Sequence, residues 1–228
     1  MIDLNYVKNQ VSNLLNKDNS GHGMDHIERV LRLSLKFADS ENANKDVVSL
    51  IALLHDVDDY KLFGEQNAIE LTNAKMIMNN CNIADEIQQQ VLSSLKCIGY
   101  SKAINNIRPT TLEGMIVSDA DMCDALGVNG ILRTHQYALK NDTLFFDKNI
   151  FPVEALTASE YKKKCSDTGV CHMFEKILKL KKMMMTSSGK NEASERHQIV
   201  VDILYHLFDE ENALEWKEYL DKFLKDNY

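Results

Sequence analysis

Apolar positions recur along the chain mainly at three- and four-residue steps, the period of helices that bury one face. Val7, Val11, Leu14 and Leu15 set that pattern over residues 3–16. After the polar break KDNSGHG, Asp25 is placed as the N-cap of a second helix. Ile27, Val30, Leu31, Leu35 and Ala38 form its stripe. VVSLIALLHD predicts a third helix over about 45–56, with an unbroken apolar run from Leu50 to Leu54. Further helices are expected near 65–80 and 84–97, while 99–112, with Gly99 and Pro109, reads as a loop. TLEGMIVSDADMCDAL, about 112–126, is helical again, and GVNGILRTHQYALK continues as a helix after a corner. Residues 141–168, with Pro152, read as an irregular insertion. A helix over about 170–186, a break at SSGKN, and one or two helices through ASERHQIVVDILYHLFDEENALEWKEYLDKFL complete the pattern.

Composition narrows the fold. Only nine Gly and two Pro occur, too little turn material for an all-β chain. No repeat, low-complexity tract or clear linker divides the 228 residues, so one all-α domain is expected. The net charge of −8 and the shortness of the basic runs Lys162-Lys163-Lys164 and Lys179 to Lys182 argue against duplex nucleic acid as a partner. A small phosphorylated molecule, met by a few local cations and a metal, is compatible with that charge. The five cysteines are odd in number and lack a CxxC pair, which favours reduced thiols. The N-terminus is amphipathic rather than signal-like, and no apolar stretch nears the ~20 residues a bilayer requires. A cytoplasmic protein without a membrane partner is the expectation.

The candidate chemistry sits where apolar runs meet charge. His55 and Asp56 end the greasy third helix, His26 opens the second helix beside its stripe, and Asp119, Asp121 and Asp124 follow Met115-Ile116-Val117. A buried carboxylate needs a partner, and a divalent cation is one. Two imidazoles and two carboxylates suit Mn²⁺, Fe²⁺, Co²⁺, Ni²⁺ or Mg²⁺. The residues alone equally allow capping aspartates and a solvated helix end.

The order His26, LLHD at 53–56 and DAD at 119–121 resembles the HD-domain metal-dependent phosphohydrolase superfamily. GHGMDHIERV, ALLHDVDDYK, VSDADMCDALGVNGILRT and HMFEKILKLKKMM are similar to a bacterial subgroup that includes pyrophosphohydrolases of deoxynucleoside triphosphates. The resemblance implies a single all-α HD domain over 1–228, with an HD core at about 20–140 and a helical extension at about 150–228. It implies His26, His55, Asp56 and Asp121 as metal ligands, with Mn²⁺ the first choice of ion. Asp119 is the second choice of aspartate, because on a helix it points about 200° from Asp121. Asp59 stands where several family members carry a Glu that activates or orients water, and the shorter side chain departs from that pattern. Lys61 is placed to meet a phosphate. Arg133 and His22 are further substrate contacts, and Asp58 is left to face solvent.

The implied reaction cuts a nucleoside triphosphate between its α and β phosphates, giving a monophosphate and pyrophosphate. A 5′-nucleotidase, an alarmone hydrolase and a non-catalytic nucleotide sensor remain alternatives, as does an iron oxygenase recruiting His22 and His135. A homodimer is compatible with so much helical surface.

Overall fold

The computed structural model describes residues 2–15, 23–153 and 167–228. Among them there are helices and no strand. The chain forms two compact units. The first holds α1 (Leu4–Leu15), α2 (Met24–Glu41), α3 (Lys45–Leu54), α4 (Tyr60–Glu70), α5 (Thr72–Asn80), α6 (Asp85–Leu95), α7 (Tyr100–Ala103), α8 (Leu112–Asp124) and a strap at 185–189. The second holds α9 (Gly127–Lys140), α10 (Gly169–Glu175), a 3-10 helix (Ile177–Met183), α11 (Ser187–Glu210) from Lys190 onward, and α12 (Leu214–Asn227).

The third helix is central because its sequence leaves it no polar face. Every residue from Val47 to Leu54 is buried. α1, α2, α6 and α8 pack around it. A helix apolar all round is stable only when surrounded, and each large side chain so buried contributes roughly 1.5–3 kcal/mol. Asn44 starts it, its side chain accepting the N–H groups of Asp46 and Val47. Leu53 and Leu54, each 1% exposed, anchor the end that carries His55.

Five expectations are corrected. Asp25 is not a cap: Gly23 holds the N-cap position of α2, and the Asp25 carboxylate instead accepts from Arg29 one turn on, at 3.1 Å. The single helix over 65–80 is two, α4 kinking at Gly64 (φ 85°) and ending at Leu71 (φ 55°), where α5 begins. Asp58 does not face solvent. It is 5% exposed and accepts the N–H groups of Asn73 and Ala74, both at 2.9 Å, satisfying donors that the first turn of α5 cannot pair internally. Burial raises its pKa despite those bonds.

The helix over 170–186 stops at Glu175, and a 3-10 segment follows Lys176 (φ −133°). SSGKN is not a break but the first turn of α11. Its start is fixed by Asp119, fully buried on α8, which accepts from the N–H of Met185, the N–H of Thr186 at 2.7 Å and the Thr186 hydroxyl at 2.8 Å. Thr186 in turn accepts the Gly189 N–H at 3.0 Å. Glycine is required at 189 because a Cβ there would lie 2.3 Å from an Asp119 oxygen.

The second unit has an aromatic core. Trp216, 1% exposed, is stacked on Phe151 at 4.5 Å and touches Phe146, Phe174 and Phe208. Its indole N–H donates to the Lys148 carbonyl at 3.0 Å, so the irregular residues 141–153 are held by aromatic packing and a part-buried hydrogen bond. No helix among the described residues is long and apolar enough to cross a membrane.

Candidate metal centre

Three elements of the first unit deliver four donor side chains to one point. His26 lies in the first turn of α2, His55 is the C-cap of α3 with Asp56 next to it, and Asp121 lies one turn before the end of α8. The two Nε2 atoms are 3.1 Å apart. Asp56 Oδ2 is 3.5 Å from each of them. Asp121 Oδ1 is 3.5 Å from His26 Nε2 and 3.8 Å from His55 Nε2. His26, His55 and Asp56 form a group able to hold a metal ion. Donors that share one cation at metal–ligand distances of about 2.1 Å sit roughly 3.0–3.4 Å from one another, so His26, His55 and Asp56 stand near metal-binding spacing, with Asp121 beside both imidazoles.

The protonation states agree. His55 Nδ1 lies 2.8 Å from the Ala52 carbonyl. A carbonyl only accepts, so Nδ1 carries the proton and Nε2 turns its lone pair to the cluster. His26 Nδ1 is 2.7 Å from Asp124 Oδ2, which leaves its Nε2 facing the cluster in the same way. Burial lowers the His26 pKa, but hydrogen bonds to Asp121 and Asp124 and the charge of Asp56 outweigh it and raise the value to about 9. Asp121 is shifted the other way: burial raises its pKa, and the hydrogen bond to His26 and the charges of both imidazoles lower it further than that. The cluster demands positive charge, as a proton or as a metal.

Sequence reasoning named Asp124 only as one of three aspartates on its helix and missed Arg29 and the link between the two. Asp124 is 2% exposed and takes Arg29 Nε at 2.7 Å and Nη2 at 3.0 Å. The signal was present as matched three-residue spacings: His26 and Arg29 share a face of α2, and Asp121 and Asp124 share a face of α8.

The remaining candidates separate. Asp59 is the N-cap of α4 and accepts the Lys61 N–H at 2.9 Å. The Lys61 side chain is exposed, its ammonium 5.8 Å from the Tyr60 ring. Both follow directly on the His55–Asp56 pair. Arg133 lies on α9, in the second unit, and is half-buried. His22 lies outside the described residues. Asp119, the second choice of aspartate, turns its carboxylate to the 185–189 strap. His135 is an exposed residue of the second unit whose ring meets Phe145 at 5.3 Å. Arg196 pairs with Glu192 at 2.8 Å, and His197 is 3% exposed.

Comparison with known proteins places this geometry. The HD domain family matches residues 23–126, the span that contains all four donors. A Lactobacillus plantarum protein of known structure is 30% identical, with 94% of this chain and 97% of that one covered at a TM-score of 0.77. An HD-superfamily hydrolase from Bacillus thuringiensis is 29% identical, covering 92% of this chain and 97% of that one at 0.72. Bacillus subtilis YpgQ, solved in complex with ADP, is 25% identical, covering 91% of this chain and 94% of that one at 0.67. The matched span, the neighbours and the helical architecture agree: the chain belongs to the HD-domain phosphohydrolase superfamily.

Proposed function

We propose that this protein is a metal-dependent nucleotide phosphohydrolase. It would cut (deoxy)nucleoside triphosphates between the α and β phosphates to give a monophosphate and pyrophosphate. The observation that carries the reading is the convergence of His26, His55, Asp56 and Asp121, with their nearest contact at 3.1 Å. YpgQ, similar over nearly its whole length, holds ADP, which supports a nucleotide as ligand. His26, His55, Asp56 and Asp121 would hold the ion, with Mn²⁺ preferred. A divalent ion there supplies Lewis-acid polarisation of a phosphoryl oxygen and lowers the pKa of a coordinated water.

The chain's own residues supply the rest. The paired Nδ1 contacts hold both imidazoles in the tautomer that donates from Nε2. Asp59, in the turn beyond the His55–Asp56 pair, orients water. Lys61, whose ammonium is exposed, meets phosphate charge. Free cysteines at 81, 97, 123 and 171 and a nucleotide substrate suit a cytoplasmic enzyme.

The test is a nucleotide panel with Mn²⁺, resolved by ion-pair chromatography, after the bound metals have been measured. Monophosphate with pyrophosphate supports the proposal. Nucleoside with inorganic phosphate would make the protein a 5′-nucleotidase, and metal binding without turnover would make it a sensor.

A further inference from the structure

The two imidazoles of the metal centre are supported differently. His55 donates from Nδ1 to a neutral backbone carbonyl three residues back on its own helix. His26 Nδ1 meets the Asp124 carboxylate, 98 residues away in the chain. That carboxylate is 2% exposed and is gripped by Arg29 through two nitrogens, at 2.7 and 3.0 Å. Arg29 itself is steadied by Asp25 at 3.1 Å.

We infer that Asp124, held by Arg29, is a positioning residue that fixes the tautomer and donor strength of His26 toward the metal. The inference rests on the metal centre proposed above. A carboxylate behind an imidazole pulls on the Nδ1 proton and makes Nε2 a more basic donor than a carbonyl does. The two-pronged guanidinium sets the plane of the Asp124 carboxylate and holds it against the His26 ring, which a point-like ammonium would not do. The ring of His26 is therefore fixed through Arg29 and Asp124, while that of His55 is fixed by its own helix.

The experiment uses the full chain loaded with Zn²⁺, a diamagnetic probe. Zinc affinity is read by chelator competition, and the ring nitrogens of His26 and His55 by long-range ¹H–¹⁵N correlation. Asp124→Asn should weaken zinc binding by about 10–100-fold. It should shift the Nδ1 resonance of His26 and leave that of His55 in place, which a merely structural loss would not do. Arg29→Gln, which removes an exposed-edge side chain and keeps the carboxylate, should weaken binding by several-fold with the same selective shift. If Asp124→Asn fails to fold, Arg29→Gln decides alone. Zinc affinity and His26 resonances unchanged in the folded variants would overturn the positioning role. A His55→Ala control that still binds zinc at this affinity would overturn the metal centre itself, and the positioning role with it.

Discussion

Asp119 holds Thr186 by two bonds at once, its Oδ2 accepting the backbone N–H at 2.7 Å and the hydroxyl at 2.8 Å. Two residues further along α8, Asp121 lies beside the imidazoles of His26 and His55 instead. Opposite faces of one helix therefore give neighbouring aspartates unrelated tasks, and substitution should separate them. Asp119→Ala leaves buried N–H groups of the strap unpaired and should cost roughly 3 kcal/mol in urea unfolding, with metal content preserved. Asp121→Ala should remove metal and keep most of the stability. Equal metal loss in both would contradict the division.

Gly189→Ala tests the strap from the other side. The new methyl would lie 2.3 Å from the Asp119 oxygen, too close for either to stay in place. A loss of about 2 kcal/mol is expected, the scale of overpacking in a tight core. A melting temperature equal to that of the parent would show that the strap yields freely.

His55→Ala and Asp56→Asn each take one donor from the cluster. Outer partners of metal ligands already matter by 10–100-fold, so loss of a ligand should lower Mn²⁺ affinity by at least about 100-fold. Metal analysis after dialysis reads this directly, and phosphohydrolase activity should fall in step. Retained metal in both variants would sink the site.

His197 gives a pH prediction. It is 3% exposed, and its Nε2 has no hydrogen-bond partner among the described residues. Burial, aided by the nearby charge of Lys181, lowers its pKa to about 4. The unfolded chain takes up this proton near pH 6.5 and the folded chain only near pH 4, so the unfolded state binds more protons between the two. The neutral ring's contribution is complete above about pH 6.5 and is lost as pH falls toward 4. It amounts to at most about 3 kcal/mol. Urea unfolding at stepped pH should show this slope, and His197→Gln should flatten it; an equal slope in the variant would assign it to other groups.

Asp58→Ala removes the acceptor at the head of α5. The cost should be about 1–2 kcal/mol, the scale of a lost helix cap. Thermal unfolding followed by circular dichroism reads it, and a change under a few tenths of a kcal/mol would mean that water takes over the role.

What the sequence carried follows from where the information lies. His26, His55, Asp56 and Asp121 could be singled out because polar side chains interrupt or border apolar helical runs at these positions, and the family pattern joins them. The helical class was legible from the period of the apolar residues. Asp58 was misread because the turn after a helix looks exposed from its own neighbours, while its actual partners, Asn73 and Ala74, are 15 and 16 residues on. SSGKN was misread as a break for a similar reason. Its serines and glycine favour turns locally, and the carboxylate that makes them a helix start is 67 residues away. The link from Arg29 to Asp124 spans 95 residues, and the three-residue spacings on each helix place both on the right faces without pairing them.

The metal centre also has an arithmetic of charge. With a metal in place of the His26 proton, and the exposed Asp25 left aside, Asp56, Asp121 and Asp124 would bring three negative charges, Arg29 one positive, and the imidazoles none. Two negative charges remain in a pocket whose side chains are largely shielded from water. A doubly charged ion makes this set neutral. A singly charged ion would leave one negative charge to repel an arriving phosphate, and the low dielectric around His26 and Asp124 would magnify that repulsion. In the proposed centre, the number of carboxylates set against one guanidinium thus favours a doubly charged ion over Na⁺ or K⁺.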